Sequence, residues 1–195
     1  MRRPATFALL LLPLLIAAGA LTAQQQPAAP PPSVAAGPPP TPPPCASAAR
    51  NRQFDFWLGT WDVYPSAAPI ATAPPIGVNV ITSIEGGCVL LEMWTDSRGG
   101  TGRSFNWYDT NLRTWRQLWL DQGGNTLDYT SGEYRDGAMR FSGWTIGPQG
   151  RRVEQKLTFF NIDRDTVRQL FEASRDSGRT WQPTFDGRYV RGVTR

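Results

Sequence analysis

From Gly59 onward the chain alternates. Apolar and polar residues change places at every second position in short runs, and turn residues stand between the runs. No stretch there keeps the three-and-four spacing that an amphipathic helix needs. A period of two is the signature of β-strands with two unlike faces. The runs fall at 59–64, 77–85, 88–95, 102–108, 114–120, 126–134, 138–146, 152–160, 166–174 and 184–191. Gly86-Gly87 and Asp136-Gly137 supply the positive φ that tight hairpins require. About ten antiparallel strands on short links form a meander. A meander rich in aromatic residues can close into an up-and-down barrel, which leaves no exposed edge. The sequence therefore predicts an all-β barrel, with a β-sandwich as the alternative.

The residues before this region read differently. Arg2 and Arg3 precede an apolar run from Phe7 to Ala18, and small residues follow up to Ala23. This is the layout of a secretory signal peptide over 1–23, too short in its apolar part to span a bilayer easily. The tract 24–44 is rich in proline and reads as a semi-stiff spacer without a core. The expected domain is 45–195, a size at which one core forms. Export to the periplasm or the medium is the expectation, with no stable membrane insertion after cleavage.

Charge and chemistry exclude several functions. Removing Arg2 and Arg3 lowers the formal net charge from +4 to +2, and Lys156 is the lone lysine. The basic side chains form no stripe, so nucleic acid is not an expected partner. The chain has no histidine. Ser-His and Cys-His catalysis and histidine-ligated metals are excluded with it. No metal and no cofactor are expected. Cys45 and Cys88 can bridge in an oxidising compartment, closing a loop for which chain entropy gives about 4 kcal/mol. The alternative is one buried and one free thiol.

Ser174 to Trp181, SRDSGRTW, resembles the Asp-box hairpin of sialidase propellers. Each matched position also has a folding reason. Asp176 can accept from backbone N–H groups of its own turn, and Gly178 can take a left-handed conformation. A sialidase needs several such boxes and an arginine cluster, so the stretch reads as a hairpin between the last two strands.

Alternation also assigns faces. With a four-residue loop at 110–113, Tyr108 pairs with Trp115, Asn106 with Gln117 and Ser104 with Trp119. The opposite face pairs Trp107 with Arg116 and Phe105 with Leu118. TWRQLWLD (Thr114 to Asp121) and TVRQLFEA (Thr166 to Ala173) are alike, which adds Gln169 and Phe171 to the first face. Glu92 and Trp94 alternate in phase with them. A face of rings and amides suits a lumen that holds a small hydrophobic or amphipathic molecule. Its expected ligand-binding residues are Glu92, Trp94, Ser104, Asn106, Trp115, Gln117, Trp119 and Gln169. The other reading is that this face meets solvent.

FDFWLGTWDV (Phe54 to Val63) carries the G-x-W element of lipocalin-like barrels. Together with GGCVLLEMW, GRSFNWYD, TWRQLWLD, RDGAM, VRQLFEASRDSGRTW and FDGRY, it makes the chain resemble an uncharacterised family of secreted bacterial proteins with a lipocalin-like, calycin-type barrel. The resemblance spans Cys45 to Arg191. It implies that Gly59 and Trp61 plug one end, with Arg191 or Arg188 packed over the indole, and that Cys45 pairs with Cys88. It implies no activity. The chain also resembles nitrobindin-type barrels, whose haem ligand is a histidine; that chemistry does not transfer here. The expected function is a binding barrel without catalysis. The alternatives are an envelope-associated domain that recognises protein or glycan, and a carboxylate enzyme acting through Glu92 on a lipid-like substrate.

Overall fold

The computed structural model describes residues 44–70 and 72–192. The expected signal peptide, and the linker as far as residue 43, lie outside the described residues. Ten strands make one closed antiparallel barrel: β1 (Gly59–Pro65), β2 (Gly77–Ile84), β3 (Val89–Asp96), β4 (Thr101–Asp109), β5 (Thr114–Asp121), β6 (Thr126–Arg135), β7 (Ala138–Ile146), β8 (Arg152–Asp163), β9 (Thr166–Ser174) and β10 (Gln182–Arg191). Each strand pairs with its neighbours in sequence. β10 returns to β1 with Trp61 opposite Arg191 and Pro65 opposite Gly187. The barrel reading holds, and the sandwich does not.

The predicted hairpin register is also found. Tyr108 lies opposite Trp115, Asn106 opposite Gln117 and Ser104 opposite Trp119. Since side chains alternate across the sheet, this one register turns Ser104, Asn106, Trp115 and Gln117 inward, and all four are buried. The look-alike strands β5 and β9 use matching positions inside. Trp115 and Val167 are buried, as are Gln117 and Gln169, while Trp119 and Phe171 are half-buried. Four steps separate them round the ten-strand ring, so they stand on nearly opposite walls.

One end is closed by residues that precede β1. A short helix α1 (Pro44–Ser47) leads into a 3-10 turn over Ala49–Arg52 and a second over Asp55–Trp57. This segment sends Phe54 and Trp57 into the barrel, and both are fully buried. Phe54 stacks on Trp57 with ring centroids 5.0 Å apart, and Trp57 meets Phe159 at 4.4 Å. Phe54 also meets Phe159, Phe141 and Trp115, and these rings form the apolar core. The Cys45–Cys88 disulfide ties the segment to the turn between β2 and β3, across 43 residues of sequence.

The G-x-W element sits beneath this plug. The Arg191 guanidinium lies 4.3 Å from the centre of the Trp61 ring, and its Nη1 donates to the Leu58 carbonyl. The Trp61 indole N–H donates to the Trp57 carbonyl. Gly59 has φ +124°, and a Cβ there would stand 2.4 Å from the Arg191 Nη1. The glycine is required twice, by its backbone and by the cation that crosses it. Arg188, the other candidate for this place, instead donates to the Ala68 carbonyl.

The SRDSGRTW hairpin is built as expected. Asp176 Oδ1 accepts from the backbone N–H of Arg179 and Thr180, and Oδ2 accepts from the Thr180 hydroxyl. These bonds favour the ionised form and draw the carboxyl down to about 2. Gly178 has φ +84°. The motif is fully engaged in holding its own turn.

Candidate functional site

Midway along the barrel, the interior changes from rings to polar groups. Glu92 projects inward from β3 and is 3 % exposed. Its Oε1 accepts from Asn79 Nδ2 at 2.7 Å, and its Oε2 accepts from the Ser104 hydroxyl at 2.6 Å. From Ser104 the chain of bonds continues round the wall. Asn106 Nδ2 donates to Ser104 Oγ at 2.9 Å, and Gln117 Nε2 donates to Asn106 Oδ1 at 2.6 Å. On the other side, Asn79 Nδ2 also reaches the Tyr189 hydroxyl at 3.4 Å, and that hydroxyl donates to Gln169 Oε1. Seven side chains from β2, β3, β4, β5, β9 and β10 thus form one belt across the lumen.

The belt explains how amides persist inside. A buried amide without a partner costs about 1–3 kcal/mol, and a wet or ligand-filled cavity was one way to avoid that cost. Ser104, Asn106 and Gln117 avoid it by bonding to one another. Among the described residues, the interior polar atoms left without a partner include Asn79 Oδ1, the Tyr129 hydroxyl and the Trp57 indole N–H. Burial raises both buried phenols, Tyr129 and Tyr189, above the ordinary tyrosine range.

Glu92 carries the belt's acidity. Burial pushes its carboxyl up to about 7, against the opposing effect of the bonds from Ser104 and Asn79 and of the Arg103 charge. A proton can therefore be gained or lost there near neutral pH.

Beyond the belt lies the open end. Trp94, Trp119, Phe171 and Phe185 surround a pocket of about 280 Å³, with Thr184 at its rim and Glu92, Gln169 and Tyr189 also on its wall. The four rings are half-buried and Thr184 is exposed, so the pocket opens to solvent. The tryptophans are held by small neighbours. A Cβ on Gly102 would stand 2.2 Å from the Trp119 ring, and one on Gly77 would stand 2.4 Å from Trp94. Each indole lies across a strand position that has no side chain.

The expected ligand-binding set divides in three. Glu92, Trp94, Trp119 and Gln169 meet at the pocket. Ser104, Asn106 and Gln117 lie behind it in the belt. Trp115 belongs to the closed end, with its indole N–H donating to Gln53 Oε1 at 3.0 Å. The likeness of β5 and β9 puts Phe171 on this face, and the structure adds it to the pocket wall. Phe185 and Tyr189 were not named for the site, although their alternation in FDGRY pointed them inward. Asn79 was also missed: in GVNVIT, a lone amide among apolar residues on an inward position was its only signal.

A wider concavity of about 670 Å³ lies against β6, β7 and β8, and includes Arg113, Arg135, Arg140 and Lys156. Three of these four cations are already engaged. Arg140 donates to the Arg135 and Ala138 carbonyls, Arg135 pairs with Glu133, and Lys156 sits 3.8 Å over the Trp181 ring. The mouth pocket has the more discriminating chemistry. Among the described residues no group of three acidic or cysteine side chains could hold a metal ion. No known family profile and no curated protein matches the chain, so what the site can do rests on its own geometry.

Proposed function

We propose that the chain is a lipocalin-like binding barrel, exported from the cytoplasm, that takes a small amphipathic molecule in its mouth. The observation that carries this reading is the pocket of about 280 Å³ with four rings around it and three polar groups, Glu92, Gln169 and Tyr189, on its wall. Rings supply contact area and a few fixed polar groups supply orientation. The disulfide supports the compartment, because such bonds persist where the surroundings are oxidising. Native mass spectrometry of protein purified from its own host tests the reading. A small molecule should co-purify with the wild type and be lost from Trp119→Ala; a bare wild-type protein with equal spectra would count against it.

A second reading has one observation in its favour. A buried glutamic acid that titrates at about 7 suits general acid–base work. Its nearest hydroxyl, Ser104, is fully buried within the belt and does not reach the pocket wall. The binding reading needs no such nucleophile. An interaction domain would be expected to cluster exposed tryptophans outside. Among the described residues Trp144 is the one exposed tryptophan, at 47 %, and Arg152 covers its ring from 4.9 Å.

A further inference from the structure

The identity of the charged group in the pocket narrows the ligand. Of the residues on its wall, only Glu92 can carry a charge at neutral pH. Among the described residues no arginine or lysine lines the space. An anion entering it would meet a carboxylate and no cation. We propose that the mouth pocket takes an organic cation: a small amine whose ammonium is held by the Glu92 carboxylate and whose apolar body lies among Trp94, Trp119, Phe171 and Phe185. This rests on the binding reading above and gives it a ligand class.

Three features fit an ammonium. Each Glu92 oxygen accepts one hydrogen bond within the protein. A carboxylate has about four acceptor directions, so both oxygens keep capacity for donors from a ligand. The walls are ring faces and edges, and indole is the ring that attracts cations most strongly. Gln169 adds a complementary polar point. Its Oε1 is taken by the Tyr189 hydroxyl, while its Nε2 donates to none of the described residues. An amine that also bears a hydroxyl or carbonyl would satisfy it. The volume of about 280 Å³ lies near the lower end of small-molecule sites, about 300 Å³. It suits one ring with a short chain rather than a long acyl tail.

Burial disfavours the Glu92 charge, and an ammonium placed against it offsets that cost. The other groups able to influence the charge are Tyr189 from β10, which burial keeps protonated, and Arg103 of β4, which is exposed on the outer face. Neither supplies a cation inside the pocket.

The test uses three probes of one shape, phenethylamine, 2-phenylethanol and phenylacetate, titrated into the full chain at about pH 8, where Glu92 is mainly ionised. Tryptophan fluorescence and calorimetry report binding. Phenethylamine should bind about tenfold or more tighter than the alcohol, and phenylacetate should bind weakest, as unlike and like charges beside a buried carboxylate dictate. Glu92→Gln should bring the amine to the affinity that the alcohol shows for the same variant. Trp119→Leu, near the solvent side, should weaken the amine more than the alcohol and serves if the first variant fails to fold. An alcohol or acid bound as tightly as the amine would overturn the ammonium assignment and leave a small-ligand barrel standing. Amine affinity unmoved in both variants would do the same. Failure of all three probes to bind would overturn the assignment and the pocket reading together.

Discussion

The two halves of the barrel interior use the same kinds of residue to opposite ends. In the closed half, Phe54, Trp57, Trp115, Phe141 and Phe159 pack against one another, and all are buried. In the open half, Trp94, Trp119, Phe171 and Phe185 stand half-buried around empty space. The strands are continuous through both halves, so neither strand chemistry nor ring content sets the difference. What differs is the contribution from outside the sheet. The segment 44–58 inserts Phe54 and Trp57 into one end, and no described segment inserts rings at the other. A ten-strand barrel is too wide for its own side chains to fill throughout. Where no plug arrives, a pocket remains, with the Glu92 belt as its floor.

The comparison can be broken most forcefully at the plug. Trp57→Ala should destabilise the domain by about 3–5 kcal/mol, as loss of a fully buried large ring does, and denaturant unfolding would measure it. A loss below about 1 kcal/mol would mean that the closed half does not depend on the inserted rings. Replacing Cys45 and Cys88 by serine should cost up to about 4 kcal/mol through the freed unfolded chain. The same unfolding curves, with native-state proteolysis of the segment before β1, would report it.

The belt gives a pH signature. In the folded protein Glu92 titrates at about 7, against an ordinary value of 4.5. Below about pH 4.5 the group is protonated in both states and costs nothing. As pH rises towards 7, the unfolded chain releases the proton before the folded one does, and stability falls. Above 7 the loss levels off at roughly 3 kcal/mol for a shift of this size. Glu92→Gln should flatten this part of the curve and raise stability at about pH 8 relative to wild type. Parallel pH slopes for the two proteins would show that the carboxyl is not buried as described.

The smallest expected effect on stability lies at the mouth. Trp119→Leu should cost about 1 kcal/mol or less, because the ring is only partly buried, yet it should change ligand uptake most. Gly102→Ala tests the same indole from beneath. The added methyl would collide with Trp119 and drive the ring into the pocket. Solution scattering should be unchanged while probe binding falls.

The strands were legible because a period of two and glycine-bearing turns are local signals. The β4–β5 register followed from loop length, and it placed Ser104, Asn106, Trp115 and Gln117 inside. The plug was not legible. Phe54 and Trp57 lie on 3-10 turns with no repeat, and FDFWLG shows only that something apolar precedes β1. The belt was half legible. Asn106 and Gln117 meet within one hairpin, whereas Asn79 meets Tyr189 across 110 residues of sequence, which only barrel closure brings together. Local alternation therefore named the inward residues, and it did not distinguish pocket wall, buried belt and the aromatic packing of the closed end among them.

The pairing of Trp61 with Arg191 has a practical corollary. β1 begins beside the plug, and β10 ends at that same pole. A partner held close to either of those strand ends would lie behind the barrel, leaving the binding aperture to face outward.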